Sequence, residues 1–208
     1  MTTNYDKIAF SYDFIRKMIL GNTIVDAQVC LLKFIPANSR ILIVGGGTGW
    51  ILNEIAKIHS AGLIIDYVES SAKMITLSTK VDHGSNAINF IQLPVESYTT
   101  TDKYDIILTP FLFDNFKVEK ISQVFTKLDF YLKKEGVWLY ADFVYNENNG
   151  RLWQKLLLKM MYIFFRVTCN IETQELISME KFFDPLYVKM YEASSYHDFI
   201  KSIVYKKR

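Results

Sequence analysis

The sequence predicts an α/β fold: a doubly wound, mostly parallel sheet with helices on both faces and an antiparallel strand pair at its C-terminal end. Three observations predict it. Apolar runs of strand length alternate with segments of helical period through the first two thirds of the chain. One run, residues 41–44, passes into Gly45-Gly46-Gly47-Thr48-Gly49 and then into a helical pattern, so a strand, a glycine turn and a helix follow one another. Two alternating runs, 187–193 and 199–205, are joined by a short polar link and read as an antiparallel pair. With 208 residues, half of them hydrophobic, the chain can bury the full core of one domain, and its composition argues against disorder.

Residues 4–20 read as one or two amphipathic helices, with Tyr5, Ile8 and Tyr12 able to share a face, and Gly21-Asn22 breaks the pattern. Thr23 is the expected N-cap of a helix to about Ile35, ended by Pro36-Ala37-Asn38-Ser39. Ile41-Leu42-Ile43-Val44 is apolar throughout and mostly β-branched, as a strand buried on both faces requires. The glycines after it let the backbone turn tightly and approach a ligand. The helix over 51–59 presents free N–H groups and a partial positive charge to that ligand, which could be a phosphate, a ribose or a carboxylate. A second strand, 62–69, ends in Glu69, and Ser70-Ser71 opens a helix through Met74 and Leu77. Strands follow at 88–92 and 104–109, with Pro94 and Glu96 in the loop after the first and 110–116 as the loop after the second. A helix over 117–133 is closed by Gly136, and 137–144 is a fifth strand. Residues 151–167 form a long helical pattern with Trp153, Leu156, Leu157, Met160, Ile163 and Phe164 on one side and Lys155, Lys159 and Arg166 toward the other. Core packing is the first reading of that helix; lining an acceptor pocket or resting on a membrane surface are the others. Ser178 is the expected cap of a short helix to Phe183.

Strands alternating with helices imply right-handed crossovers and a parallel sheet, with the ligand outside the carboxyl ends of the strands. The 45–49 loop, Glu69, the Pro94 loop and the 109–114 loop then converge on one edge. Glu69 lies 20 residues beyond Gly49, the spacing at which an acid in a Rossmann-like unit meets the ribose hydroxyls of an adenosine ligand. A net charge of +2 and the lack of a basic-aromatic cluster argue against a nucleic-acid partner. Lys206-Lys207-Arg208 reads as a solvated tail. Cys30 and Cys169 have no metal-ligand spacing and read as buried or free thiols of a reducing compartment; no metal site is expected. No signal peptide is apparent, and the apolar stretch 156–165, broken by Lys159, is too short for a span of roughly 20 residues. A cytoplasmic protein without stable membrane insertion is expected.

Taken in order, these features resemble the class I S-adenosylmethionine-dependent methyltransferases of small-molecule type. Val44-Gly45-Gly46-Gly47-Thr48-Gly49 is close to the family's Gly-x-Gly-x-Gly loop, and Glu69 ends the second strand. Tyr104-Asp105-Ile106-Ile107 is similar to the family's Phe-Asp opening of the fourth strand, and the terminal strand pair matches its last two strands. Tyr5-Asp6-Lys7-Ile8-Ala9-Phe10-Ser11-Tyr12-Asp13 resembles an N-terminal segment that folds over the cofactor as a lid. The resemblance implies a single domain over 1–208, with 1–36 as a helical cap and 151–185 as a helical insertion near the acceptor side. It implies S-adenosylmethionine as cofactor, contacted by Tyr5, Tyr12, Gly45, Gly46, Gly47, Gly49, Glu69, Ser70, Met74, Pro94, Val95, Thr109 and Phe111. Two positions depart from the pattern: Ile43 stands where the family places an acid in the first strand, and Pro94 where it often has Asp. The Gly45 carbonyl and the Val95 N–H are the expected substitutes.

The function expected is in-line methyl transfer to a small, partly apolar acceptor, with Asp114 as the first candidate for a base. Asp114 could equally cap the helix that begins near Phe116. Asp142 and His197 are weaker candidates. A protein that holds S-adenosylmethionine or S-adenosylhomocysteine without turnover, and an aminopropyltransferase-like enzyme, are the alternatives. A nicotinamide-dependent oxidoreductase would want Gly-x-Gly-x-x-Gly, and Trp50 occupies the last of those positions.

Overall fold

The computed structural model describes residues 6, 9, 20–145, 151–169, 173 and 176–208. Tyr5, Tyr12 and most of the helical region expected over 4–20 lie outside the described residues. The strands are β1 (Arg40–Val44), β2 (Ala61–Glu69), β3 (Ser85–Gln92), β4 (Tyr104–Pro110), β5 (Leu132–Phe143), β6 (Tyr187–Ser195) and β7 (Ile200–Lys207). The helices are α1 (Thr23–Leu32), α2 (Trp50–Ile58), α3 (Ala72–Ser78), α4 (Val118–Tyr131), α5 (Leu152–Cys169) and α6 (Glu180–Phe183). A 3₁₀ turn covers Phe113–Asn115.

The strands form one sheet in the order β3-β2-β1-β4-β5-β7-β6. β1 to β5 pair in parallel, and β7 runs antiparallel between β5 and β6. The predicted architecture is therefore the observed one. Every apolar residue of β1 is buried, because both faces of the sheet are covered. Leu42 and Val44 face a core with α4 and α6 and their aromatic cluster. Ile41 and Ile43 face the opposite core with α1 and α2. In the aromatic cluster Phe183 stacks on Tyr205 at 4.0 Å and Phe125 on Trp138 at 5.1 Å. At the amino ends of the strands, buried Asp66 accepts hydrogen bonds from Tyr104 (2.5 Å), Asn89 (3.1 Å) and Arg40 (3.3 Å). Asp105, part of the sequence motif, accepts from the Arg40 backbone N–H at 2.9 Å and pairs with Lys133 at 2.7 Å. Both acids stitch strands together at the edge opposite the glycine loop.

Local corrections have physical causes. α1 starts after Asn22 rather than on Thr23 as a cap, no side chain caps it, and it ends at Leu32. Pairing of Leu132 with Tyr104 draws the chain into β5 directly after α4. The left-handed residue of that stretch is Glu135 (φ 62°), not Gly136. Gly136 is there for space: a Cβ would come within 2.8 Å of Leu132 Cδ1 and of the Lys133 carbonyl oxygen. α6 begins after Met179, so Ser178 is not its cap. The basic tail is pinned rather than free, with Lys206 on Glu135 and Lys207 on Asp129, each at 2.9 Å.

α5 shows the largest difference. Its buried residues are Gln154, Leu158, Tyr162 and Cys169, while Leu156, Met160 and Ile163, expected to face the core, point to solvent. A helix apolar on nearly every side offers two hydrophobic stripes, and periodicity alone does not choose between them. The hairpin between β6 and β7 turns through Tyr196, His197 and Asp198, three consecutive non-glycine residues at φ 52°, 58° and 64°. Trp153 of α5 packs edge-on against the rings of Tyr196 (5.3 Å) and His197 (5.9 Å). Among the described residues no helix is long and apolar enough to cross a membrane, and Cys30 and Cys169 are free thiols.

Candidate functional site

The strand order reverses between β1 and β4, and at such a point the loops leaving the two strands part and open a crevice. On the β1 side, the Gly45 N–H donates to the Val68 carbonyl at 2.9 Å. Gly45 and Gly47 adopt φ of 73° and 65°, which side chains resist. Gly46 is required by proximity instead: a Cβ there would lie 2.4 Å from the ring and hydroxyl of Tyr67. Tyr67 also donates its hydroxyl to the Gly47 carbonyl at 3.0 Å, so one side chain from β2 supports the whole turn. Gly49 lets α2 start against Ser78 of α3, whose Cβ would be 2.5 Å from an added methyl. A Cβ at Gly47 would meet nothing within 4 Å, so the loop faces open space there.

Glu69 closes this corner. Its carboxylate accepts from the N–H of Gly47 (3.1 Å) and of Ser71 (2.9 Å) and from the Ser70 hydroxyl (3.3 Å). Burial raises its pKa above the ordinary 4.5, while those donors pull the other way. Ser71 caps α3 by accepting the Met74 N–H at 3.1 Å, and its hydroxyl donates to Asp6 at 2.5 Å. The Lys73 N–H also reaches Asp6, at 3.2 Å. Asp6 thus stands against the same corner, a contact that sequence reasoning did not assign.

On the β4 side, Phe111 takes φ 50°, Leu112 approaches to 3.2 Å from where a Gly45 Cβ would be, and Asn115 and Phe116 complete the wall. The resulting cleft encloses about 580 Å³, counting its open mouth. It brings together Gly45, Gly47, Glu69, Ser70, Met74 and Phe111. An adjoining, mostly apolar recess shares Gly45, Glu69 and Ser70 with it and adds Val68, Leu93, Pro94 and Val95. Gly46 and Gly49 lie behind the loop and shape it. Ile43 is fully buried in the core and offers nothing to a ligand.

Thr109 does not line the cleft. It is fully buried, and its hydroxyl accepts the Trp138 indole N–H at 2.9 Å. Thr109→Val should therefore leave that indole without an acceptor and lower stability by about 1–3 kcal/mol. Ligand affinity should not change; a denaturant melt and a binding isotherm on the same sample check both halves.

Asp114 stands half-buried on the 3₁₀ turn, beside fully buried Asp142 of β5. It does not cap α4, whose N-cap is Lys117. Asp114 accepts from the Asn115 amide at 2.7 Å; Asp142 accepts the backbone N–H of Phe113 (3.1 Å) and of Phe143 (2.9 Å). Burial raises Asp142 from 3.8 to about 7, and burial together with the Asp142 charge raises Asp114 well above its usual range. A carboxyl whose pKa is higher folded than unfolded holds its proton more tightly in the folded state. Its stabilisation is complete below 3.8 and is lost as pH rises through about 7. Stability should fall by about 2–4 kcal/mol across that interval, and Asp142→Asn should remove most of the slope, as read from urea midpoints against pH.

A second, wider cavity opens on the same sheet edge at the carboxyl end of β5. Tyr140, Phe143, Tyr145, Arg151, Gln154, His197 and Lys201 are among its lining residues. The rings of Phe111 and Phe143, 4.9 Å apart, stand between it and the first cleft. Among the described residues no group of three or more His, Cys, Asp or Glu side chains could hold a metal ion.

No protein-family model matches the chain, and no curated protein matches it by sequence. Solved structures do match. The mitomycin 7-O-methyltransferase MmcR superposes with a TM-score of 0.69 over 99% of this chain and 61% of its own, at 10% identity. The chain has the fold of the class I methyltransferases. CalO1, a methyltransferase in calicheamicin biosynthesis solved with SAH bound, matches this methyltransferase fold with a TM-score of 0.63 at 17% identity. That match covers 97% of this chain and 60% of CalO1. A TehB-like SAM-dependent methyltransferase from Corynebacterium glutamicum ATCC 13032 matches over 96% of this chain and 99% of its own, with a TM-score of 0.56 at 11% identity. The chain spans about three fifths of the length of MmcR and CalO1. In this fold the crevice between β1 and β4 is the place where Gly45, Gly47 and Glu69 meet.

Proposed function

We propose that the chain transfers a methyl group from S-adenosylmethionine to a small, partly apolar acceptor. The observation that carries the reading is the corner where Gly47 and Glu69 meet at the mouth of an apolar recess. A carboxylate next to a glycine turn suits a ribose diol, and the recess beside Val68, Leu93 and Val95 suits an adenine ring. The residues fit such a group: the loop opens to free space at Gly47, and Glu69 reaches the cleft wall. The methionine end would lie along Gly45, Gly47 and Asn115, its ammonium on backbone carbonyls in place of the acid missing at Ile43. The bound sulfonium supplies an activated methyl carbon. The protein's part is then to position the acceptor and exclude water, which suits a cleft walled by Phe111, Leu112 and Phe116.

The cavity beyond Phe111 and Phe143 is the proposed acceptor chamber, with an aromatic wall for the apolar part and Arg151, His197 and Lys201 for a polar head. Asp114 is the proposed base where the acceptor must lose a proton, since burial and the neighbouring Asp142 charge raise its proton affinity above that of an ordinary carboxylate. Asp114→Asn should then lower kcat by about 10²–10⁴-fold without weakening cofactor binding.

Calorimetry with S-adenosylmethionine, S-adenosylhomocysteine and NAD tests the reading. Heat with the first two and none with NAD is expected. No binding of S-adenosylmethionine at millimolar concentration would sink it. Binding with no turnover across a methyl-acceptor screen would leave a protein that holds the cofactor, the reading that the buried Ile43 favours.

A further inference from the structure

α5 exposes a continuous apolar stripe. Leu152, Leu156, Met160, Ile163 and Val167 are 86, 59, 53, 54 and 72% exposed, and their spacing of four, four, three and four residues keeps them on one side of the helix. On the other helices exposed apolar residues occur singly, such as Ile58 on α2 and Phe130 on α4. The stripe is bordered by exposed Lys155, Lys159 and Arg166, and residues 151–169 contain no Asp or Glu. None of these three cations makes a side-chain ion pair among the described residues. The opposite side of the helix is anchored by Leu158, Tyr162 and Cys169 in a core with Phe143 and Phe199, so α5 has a fixed inner face and a free outer one.

We propose that this outer face docks on an anionic lipid surface, with the helix lying in the plane of the headgroups. Eighteen residues at 1.5 Å each make a helix of about 27 Å, and a strip of that length with large side chains inside and cations at its margin matches an acyl boundary beneath anionic headgroups. The charges argue against the other occupants. A second copy docking by the same stripe would set Lys155, Lys159 and Arg166 of both helices together with no acid on either. A nucleic acid would meet five large apolar side chains in the middle of its contact.

Sedimentation of the 208-residue chain with vesicles tests this, using phosphatidylcholine alone and phosphatidylcholine mixed with phosphatidylserine. The chain should partition onto the mixed vesicles and release as salt is raised. Lys155→Glu with Lys159→Glu should weaken partition at least roughly twentyfold. Leu156→Gln with Met160→Gln and Ile163→Gln should abolish it, with thermal melts unchanged because all three positions are exposed. Equal binding to both vesicle types, or variants that bind like the parent, would overturn the proposal. So would a dimer in light scattering that the glutamine variant loses while vesicles capture nothing, which would assign the stripe to a second copy. Because vesicle binding is read without S-adenosylmethionine, it stands or falls separately from methyl transfer.

Discussion

Gly46→Ala is expected to weaken binding of S-adenosylmethionine by about 100-fold or more. The added methyl would lie 2.4 Å from three atoms of Tyr67, and neither side can yield cheaply. Tyr67 is fully buried, packs against Phe90 at 5.5 Å and holds the Gly47 carbonyl through its hydroxyl. To admit the methyl, either the loop lifts away from β2 or the tyrosine leaves the core. Overpacking of this kind costs about 1–3 kcal/mol of stability. The larger loss falls on binding, because a lifted loop separates Gly47 from Glu69, and a shift of about 1 Å in such a site costs on the order of 100-fold. Gly47→Ala is the contrast: its methyl meets no protein atom, so its effect on stability should come only from the left-handed backbone, and any further loss of binding from a methyl set in the cleft. Calorimetry and melting curves on both variants separate packing from conformation.

Glu69→Ala should have the next largest effect. Removing the carboxylate leaves the Ser71 N–H buried without an acceptor, at about 1–3 kcal/mol, and takes the partner from the half-buried Gly47 N–H. It also removes the charged acceptor offered to a ribose, and the two losses together predict at least about 100-fold weaker binding. Glu69→Gln keeps one oxygen and should lose only about tenfold. If S-adenosylmethionine binds Glu69→Ala as tightly as the parent chain, the ribose role assigned to Glu69 is wrong.

What could be read from the sequence was local. The 41–44 run, the glycines and the acid at the end of the second strand announce themselves within a few residues, and the strand alternation follows from them. The unread features join residues far apart. Tyr67 under Gly46 is a contact across 21 positions, Trp138 on Thr109 across 29, and Asp6 on Ser71 across 65. No pattern in one segment signals such a partner: Thr109 has the look of a loop residue at a strand exit, and only the indole of β5 makes it a core hydroxyl. Asp105 is the converse case. It belongs to the motif that carried the resemblance, yet its work is to hold Arg40 and Lys133 at the far edge of the sheet. α5 could be recognised as a helix but not oriented, since burial of Leu158 and Tyr162 is decided by Phe143 and Phe199 on other elements.

The hairpin at Tyr196, His197 and Asp198 bears on how this chain can drift over evolutionary time. A non-glycine residue in the left-handed region is costly, about 1–3 kcal/mol where strained, and Asn-Gly would make the same reversal without that burden. Selection for stability alone would favour glycine there. The rings of Tyr196 and His197 against Trp153 offset the unfavourable backbone, so the turn and the start of α5 form one inherited unit. Without Trp153 the two rings lose their packing partner, and glycine at 196 or 197 should then cost less stability than it does in the parent chain.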